Sequence, residues 1–264
     1  MKNQLTISLL GCLVLFGSMT AVAEDDGPRL SISAGAEYTT GTYGGDADIE
    51  DFYLPLKATI DFRKVALRLT VPYLSVRAPE GTVITGPGGE PIPGTGDIVT
   101  NSGIGDVIGS VTVYDVVRNR RLGFAMDLTG KVKFGTADVD KGLGTGETDF
   151  TVQADFLKFT DKVTWIGSVG YKFRGQPPDA TLEDAFLASA GGIYKLTRDA
   201  RTGLFFDYRE SSIGADPTQE LSVFFSNRLS TDWRFQVFLF KGFTDSGADW
   251  GGGLQVKRYL PALR

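Results

Sequence analysis

Residues Leu122–Phe134 read LGFAMDLTGKVKF, and apolar and polar positions alternate through the whole stretch. The apolar positions are Leu122, Phe124, Met126, Leu128, Gly130, Val132 and Phe134. Between them lie small, polar or charged residues, including Asp127, Lys131 and Lys133. Successive side chains of a β-strand point to opposite faces. The stretch therefore predicts a strand with one apolar wall and one polar wall along its full length.

The same alternation recurs from Leu30 to Tyr259 and predicts twelve strands, at roughly 30–38, 52–62, 65–75, 104–115, 122–134, 149–157, 163–173, 185–196, 202–209, 219–229, 233–243 and 249–259. Their connections are short and long in rotation, from Arg63-Lys64 to the glycine- and proline-rich segment 76–103. Outer-membrane barrels combine tight periplasmic turns with long external loops. We therefore predict an all-β fold, a transmembrane antiparallel up-and-down β-barrel of about 12 strands.

Aromatic residues on the apolar faces supply a second indication. Rings such as Phe52, Phe134 and Trp250 fall at the predicted outer ends of strands, and Phe62 and Trp233 fall near the inner ends. Two aromatic belts are expected where amphipathic rings meet the two membrane interfaces. A secreted β-sandwich is the alternative fold, but it buries its apolar face against a second sheet and gives no reason for such belts.

The first residues predict export. A basic start at Lys2, an apolar run from Leu5 to Phe16 and the small residues Ala21-Val22-Ala23 are typical of a signal peptide over residues 1–23. A lipoprotein signal ending at Cys12 is the alternative. Residues 24–264 are then expected to form one outer-membrane barrel domain without cysteine, because Cys12 is the only one in the chain.

Composition argues against several function classes. The formal charge of −5 and the lack of any basic run argue against a nucleic-acid partner. The chain has no histidine, which removes Ser-His and Cys-His mechanisms and histidine metal sites, so we expect neither an enzyme nor a cofactor. Asp127 and Asp155 are a possible carboxylate pair, although charge pairing inside a barrel is the simpler interpretation. The acidic run Asp46, Asp48, Glu50 and Asp51 offers oxygen ligands for calcium, but it lacks the glycine and the distant glutamate of an EF-hand loop, so a solvated loop is the favoured interpretation.

The polar positions of the alternating strands predict which residues line the barrel lumen. Its charged candidates are Lys57, Asp61, Arg68, Asp127, Lys131, Lys133, Asp155, Lys172, Asp207, Arg209, Arg228 and Arg234. Both signs are present, which favours a salt-bridged, water-containing interior over a ring of one charge. Four rings, Phe205, Phe224, Phe238 and Phe240, share that parity and form either an apolar solute path or a packing surface for an inward-folded segment. The long loop 76–103 is either such a lid or a surface excursion.

Four glycine-rich segments resemble an outer-membrane family, the MetA-pathway of phenol degradation proteins: 102–107, 131–138, 142–149 and 167–173. The resemblance is strongest over residues 100 to 175. It implies a transport-like barrel for aromatic or other apolar compounds and assigns no catalytic residue. The chain departs from many such barrels by continuing past Tyr259 to Arg264, so its last residue is not an aromatic assembly signal.

The residues thus favour a monomeric channel or facilitator in the outer membrane, through which small solutes, with apolar or aromatic compounds as candidates, pass passively. The alternative is a non-conducting barrel that binds a ligand or partner through its outer loops. Expected partners are outer-membrane lipid and lipopolysaccharide, the barrel-assembly machinery and the small-molecule solute.

Overall fold

A computed structural model of the protein describes residues 28–86, 90–178 and 180–261. The predicted signal peptide, the lipid-attachment alternative at Cys12 and the final Arg264 lie outside these residues. Within them, every long element is a strand, and no helix is long and apolar enough to cross a bilayer.

The described chain forms thirteen strands: β1 Arg29–Gly41, β2 Ile49–Asp61, β3 Val65–Pro79, β4 Ile98–Ile104, β5 Val107–Asn119, β6 Phe124–Phe134, β7 Asp149–Phe159, β8 Val163–Phe173, β9 Ala185–Lys195, β10 Ala200–Arg209, β11 Thr218–Arg228, β12 Trp233–Gly242 and β13 Trp250–Tyr259. All neighbouring pairs are antiparallel, and β13 pairs with β1 while β2 pairs with β3. The sheet is therefore closed, and the predicted barrel is confirmed; among the described strands, β4 alone has a single partner.

One strand position holds two segments. β4 pairs with the second half of β3, from Tyr73 to Pro79, and β5 pairs with the first half, from Val65 to Thr70. Gly105 and Asp106 separate them, so thirteen segments fill twelve positions. The strand predicted at 104–115 thus begins earlier, at Ile98, and is interrupted. The polar run Thr100-Asn101-Ser102 conceals the alternation there, because it shows no apolar face.

The outward faces carry the predicted apolar wall. Large apolar side chains remain exposed along the middle of the strands, as at Leu56, Val152 and Leu204, where lipid would cover them. Near one end, Tyr38 and Trp250 lie with their ring centroids 5.6 Å apart. Near the other end, Arg258 lies 5.3 Å from the ring of Trp233. These features fit a barrel surrounded by membrane lipid, with aromatic belts at both interfaces.

Loop lengths distinguish the two rims of the barrel. The connections 42–48, 80–97, 135–148, 174–184, 210–217 and 243–249 lie at one rim, which we call the outer rim. The shorter turns 62–64, 120–123, 160–162, 196–199 and 229–232 lie at the other, the inner rim. The alternation predicted from the sequence is confirmed, and by the rule for such barrels the inner rim faces the periplasm.

A charge placed on the lipid face tests this assignment. Leu204 lies near the middle of β10 and faces outward. Leu204→Arg should lower the free energy of unfolding from lipid vesicles by about 2–4 kcal/mol, because the cation loses its hydration near the bilayer midplane. The control is Leu229→Arg in an inner-rim turn, where the guanidinium reaches water and the cost should stay below about 1 kcal/mol. Equal losses in the two variants would contradict the lipid face.

Candidate functional site: the barrel lumen

The residues that the sequence predicts in the lumen lie on the inward parity of their strands, opposite to the exposed apolar wall. Asp127, Lys131, Lys133, Asp155, Lys172, Arg209 and Arg234 are buried, as are the four phenylalanines. Arg68 and Asp207 are half-buried. The structure separates these residues into a charged wall, an apolar strip and an arginine group near the inner rim.

The charged wall follows β6, β7 and β8. Near the outer rim, Lys133 Nζ lies 2.9 Å from Asp106 Oδ2 and 3.5 Å from Asp149 Oδ2. Lys172 Nζ lies 3.0 Å from the same Asp149 oxygen. Asp106 also accepts hydrogen bonds from the main-chain N–H groups of Thr136 and Ala137. The cluster therefore joins the interruption between β4 and β5 to the outer loop 135–148. This contact accounts for the aspartate at position 106.

Asp127 and Asp155 stand directly opposite each other on β6 and β7. Asp155 accepts hydrogen bonds from Gln153 and Ser168, both at 2.6 Å, and Asp127 accepts one at 2.7 Å from the main chain of Asp115. Donors on β7 and β8 fix the carboxyl group of Asp155, and a donor on β5 fixes that of Asp127. The pair is thus built into the wall by neutral hydrogen-bond donors.

Further charged candidates lie on β6, β3 and β10. Lys131 Nζ donates to Gln153 Oε1 at 3.1 Å, and Arg68 Nε donates to Thr59 Oγ1 at 3.3 Å. Asp207 and Arg209 occupy the outer half of β10, where Asp207 is the cross-strand partner of Glu220. Of the loop considered for calcium, Glu50 pairs with Arg77 at 3.4 Å. The described residues contain no group of three or more potential ligands placed to hold a metal ion.

The four phenylalanines form one apolar surface, and each ring lies over a glycine of the neighbouring strand. Phe205 faces Gly191, Phe224 faces Gly203, Phe238 faces Gly253 and Phe240 faces Gly251 in the register of the sheet. A Cβ atom added at these glycines would lie only 2.3 to 2.9 Å from the ring. The rings therefore lie flat on the barrel wall because their partners lack side chains, an arrangement known to protect glycine in sheets.

This surface continues beyond the predicted rings. Ala125, Leu157, Ile166 and Ile193 join the four phenylalanines in one buried cluster. They lie near the inner ends of β6 to β9; Leu157, for example, lies two residues before the end of β7 at Phe159. We call the eight residues the apolar strip. The inner half of the strip was not predicted from the sequence. A signal was present, because its residues are apolar at strand positions that otherwise carry polar side chains.

The long loop 80–97 folds into the outer mouth. It forms a small hairpin through paired hydrogen bonds between Val83 and Ile92. Ile84 packs in a buried cluster with Leu143 of the loop 135–148 and Leu74 of β3. Of the two alternatives left open by the sequence, the described part of this loop follows the inward-folded one.

Glu90 joins that loop to the opposite wall. Its Oε2 atom accepts hydrogen bonds from Ser211 Oγ at 2.7 Å and from the main-chain N–H of Ser212 at 3.0 Å. The loop leaves the barrel between β3 and β4, whereas the serines follow β10, halfway round the closed sheet. The loop therefore spans the mouth as a strap. The sequence did not indicate this contact, because its partners are more than a hundred residues apart.

Tyr43 of the first outer loop lies between the two buried clusters and packs against both. Its backbone adopts a positive φ of 51°, which is uncommon for a residue with a side chain. Burial raises the pKa of its hydroxyl above the ordinary value, so the group stays protonated at neutral pH. Tyr43 thus forms the outer limit of the apolar strip.

Comparison with known proteins agrees with this architecture. The family model described as "Putative MetA-pathway of phenol degradation" matches residues 56–256. The chain belongs to this family. The resemblance seen in the sequence is therefore confirmed, and all four glycine-rich segments lie within the range that the MetA-pathway model matches. A search of curated proteins found no match.

Solved structures with the same fold are outer-membrane proteins. A channel from Pseudomonas putida F1 superposes with a TM-score of 0.71 at 12% identity, covering 90% of this chain and 97% of that chain. The NanC porin has a TM-score of 0.55 at 8% identity, covering 88% and 100%. The KdgM porin, solved in complex with oligogalacturonate, has a TM-score of 0.52 at 11% identity, covering 86% and 98%. This MetA-pathway family member is accordingly an outer-membrane barrel.

Substitution of Gly203 tests the seating of the rings. Gly203→Ala should lower the free energy of unfolding by about 1–3 kcal/mol, because the new methyl group displaces Phe224 from the wall. Gly130→Ala is the matched control, since a Cβ at Gly130 meets no atom within 4 Å. Phe224→Leu in the Gly203→Ala background should recover part of the loss, a coupling of about 0.5–3 kcal/mol in a double-mutant cycle. A cost at Gly203 no larger than at Gly130 would show that the ring is not seated there.

Proposed function

We propose that the protein is a passive outer-membrane channel or facilitator for small solutes, and that apolar or aromatic compounds are its preferred cargo. The proposal rests chiefly on the apolar strip. It begins at Phe240 in the outer half of β12 and descends to Leu157 and Ile193 near the inner rim. A solute with an apolar face gains a continuous contact surface along this line, while the charged wall on β6 to β8 retains water.

The flat seating of the rings supports a path more than a plug. A phenylalanine that stood upright from the wall would fill a narrow barrel, whereas a ring laid over a glycine takes up less of the lumen. The lumen residues proposed to line this path are Arg68, Asp127, Lys131, Lys133, Asp155, Lys172, Asp207, Arg209 and Arg234, together with the four rings. Passage would be driven by the solute gradient and requires no cofactor.

The comparisons support the same class of function. The Pseudomonas putida protein is named an outer-membrane channel, and NanC and KdgM are named porins. The family description refers to phenol degradation, which suits an aromatic cargo. Channel-type neighbours and a histidine-free chain together favour a transporter without catalytic activity.

Further parts of the proposal concern the cell envelope. Residues 1–23 act as a cleaved signal peptide, and the exported chain from residue 24 is inserted by the barrel-assembly machinery as a monomer. Lipopolysaccharide then surrounds the outer half of the barrel. The amphipathic alternation of the strands supports this route, because such segments pass the inner membrane without stopping in it.

A second function rests on the strap. Glu90 fastens the loop 80–97 across the mouth, and a barrel closed in this way could bind a ligand or partner through its outer loops without conducting. The two functions differ in what removal of the strap does. Glu80 and Asp97 are joined by a main-chain hydrogen bond of 2.8 Å, so the intervening residues can be replaced by a short linker without separating β3 from β4.

The test is single-channel conductance and solute uptake of the refolded chain 24–264 in lipid vesicles. Replacement of residues 82–96 by a short linker and the point variant Glu90→Ala should both raise conductance, because each releases the strap. Glu80→Ala, an exposed change on the same loop, is the control and should leave conductance unchanged. Phe238→Ala should raise ion conductance, since the lumen widens, and lower the uptake of an apolar solute, since the strip is interrupted.

A folded barrel that stays silent after removal of the strap would contradict the channel and favour the binding barrel. An uptake rate that Phe238→Ala leaves unchanged would contradict the role of the strip while leaving the channel intact.

A further inference from the structure

The inner end of the lumen concentrates arginines on three adjacent strands. Arg228 and Arg234 are direct cross-strand partners of β11 and β12, and both act electrostatically on Arg201 of β10. Like charges placed opposite each other destabilise a strand pair. The arrangement therefore costs stability unless an anion lies between the guanidinium groups.

The hydrogen bonding of Arg234 also favours an anion at this position. Arg234 is only 5% exposed, and its Nε atom has no hydrogen-bond partner among the described residues. A buried donor without an acceptor carries a desolvation penalty, which is larger for a charged group. Asp199 is a carboxylate that acts on both Arg201 and Arg234, so its one negative charge is shared between two cations. An additional acceptor would satisfy this group.

A cavity of about 290 Å³ opens at the same rim, and Arg201 forms part of its wall. Four other cationic residues and one acidic residue line it: Arg118, Arg120, Lys162, Lys195 and Asp161. Lys195 is the cross-strand partner of Arg201. Arg118 is ion-paired with Asp115, so it contributes little free charge. The remaining excess of positive charge favours an anionic occupant.

Part of the cavity wall is apolar. Ile193, which is buried, is the end of the apolar strip in β9, and the half-buried ring of Phe159 packs against that strip. The cavity thus has both cationic and hydrocarbon side chains in its wall. Its volume lies just below the range for small-molecule sites, ~300–1,000 Å³. An occupant of this shape is a single small ring or short chain with one anionic group.

We propose that the inner mouth is a binding site for small organic anions with an apolar body, such as aromatic carboxylates. The carboxylate is held by Arg201 in the cavity wall, and the apolar body lies against Ile193 and Phe159. Arg228 and Arg234 do not line the cavity and act on the anion only through their positive charge. This inference rests on the proposed channel, since it names the class of solute that the apolar strip delivers to the periplasmic side. Arginine suits this role because its planar group binds a carboxylate through two parallel hydrogen bonds.

Calorimetric titration of the refolded chain 24–264 in detergent tests the site with three probes. Benzoate carries both the ring and the charge, benzamide the ring alone and acetate the charge alone. Benzoate should bind at least tenfold more tightly than either. Arg201→Gln should weaken benzoate binding by about ten- to a hundredfold, the range for loss of a charged hydrogen bond. Arg121→Gln removes the same charge from an exposed inner-rim turn and should leave the affinity unchanged.

A second variant keeps the test decisive if Arg201→Gln folds poorly. Ile193→Ser should weaken benzoate and leave acetate unaffected, because it removes only the apolar contact. Equal binding of benzoate and benzamide, or of benzoate and acetate, would overturn the proposal. The conductance measurement separates this proposal from the channel itself. If a non-conducting barrel binds benzoate, the site is supported and the transport function is contradicted. If the barrel conducts but shows no preference for benzoate, only the site is contradicted.

Discussion

Closure of the sheet is the constraint on which the rest of the structure depends. A strand in a bilayer cannot leave its N–H and C=O groups unpaired, because no water is available to replace the missing partner. The pairing of β13 with β1 satisfies the last edge, and it fixes which parity of every strand faces lipid. The other parity then has to fill or line a narrow interior. Most features of the lumen follow from this requirement.

The interior is divided by the chemistry of its walls. On β6 to β8, lysines and aspartates meet at ion-pair distance and hold the loop 135–148 near the outer rim. On β10 to β13, phenylalanines lie over glycines of neighbouring strands. The two walls fill the narrow interior differently. The first fills it with long polar side chains, whereas in the second the cross-strand partners of the phenylalanines are glycines, which have no side chain. A polar wall beside an apolar strip is the combination through which an aromatic solute and water could move together.

The sequence predicted a large part of this architecture, because local alternation is enough to define the parity of a strand. The barrel, the order of long and short connections, and the inward direction of residues such as Phe238 and Lys133 were all predictable in this way. The break between β4 and β5 was not, since the polar segment before Gly105 has no apolar face to detect. The contact of Glu90 with Ser211 and the ring–glycine pairs were also missed, because these depend on the register between strands and on partners far apart in the chain. Arg201 was missed for a simpler reason: the ninth predicted strand, which corresponds to β10, was predicted to begin at Thr202, one residue after Arg201.

Thiol accessibility along the apolar strip would show whether a path runs through the barrel. Cys12 is the only cysteine of the sequence, so the chain 24–264 offers a cysteine-free background. Single cysteines at Phe240, Phe224 and Ile193 would sample the strip from the outer half to the inner mouth, with Leu239→Cys on the lipid face as control. We expect a small water-soluble thiol reagent to modify all three lumen positions in the strap-deleted barrel and to leave position 239 unmodified in vesicles. Unreactive cysteines at 224 and 193 in a correctly folded barrel would contradict a through-going path.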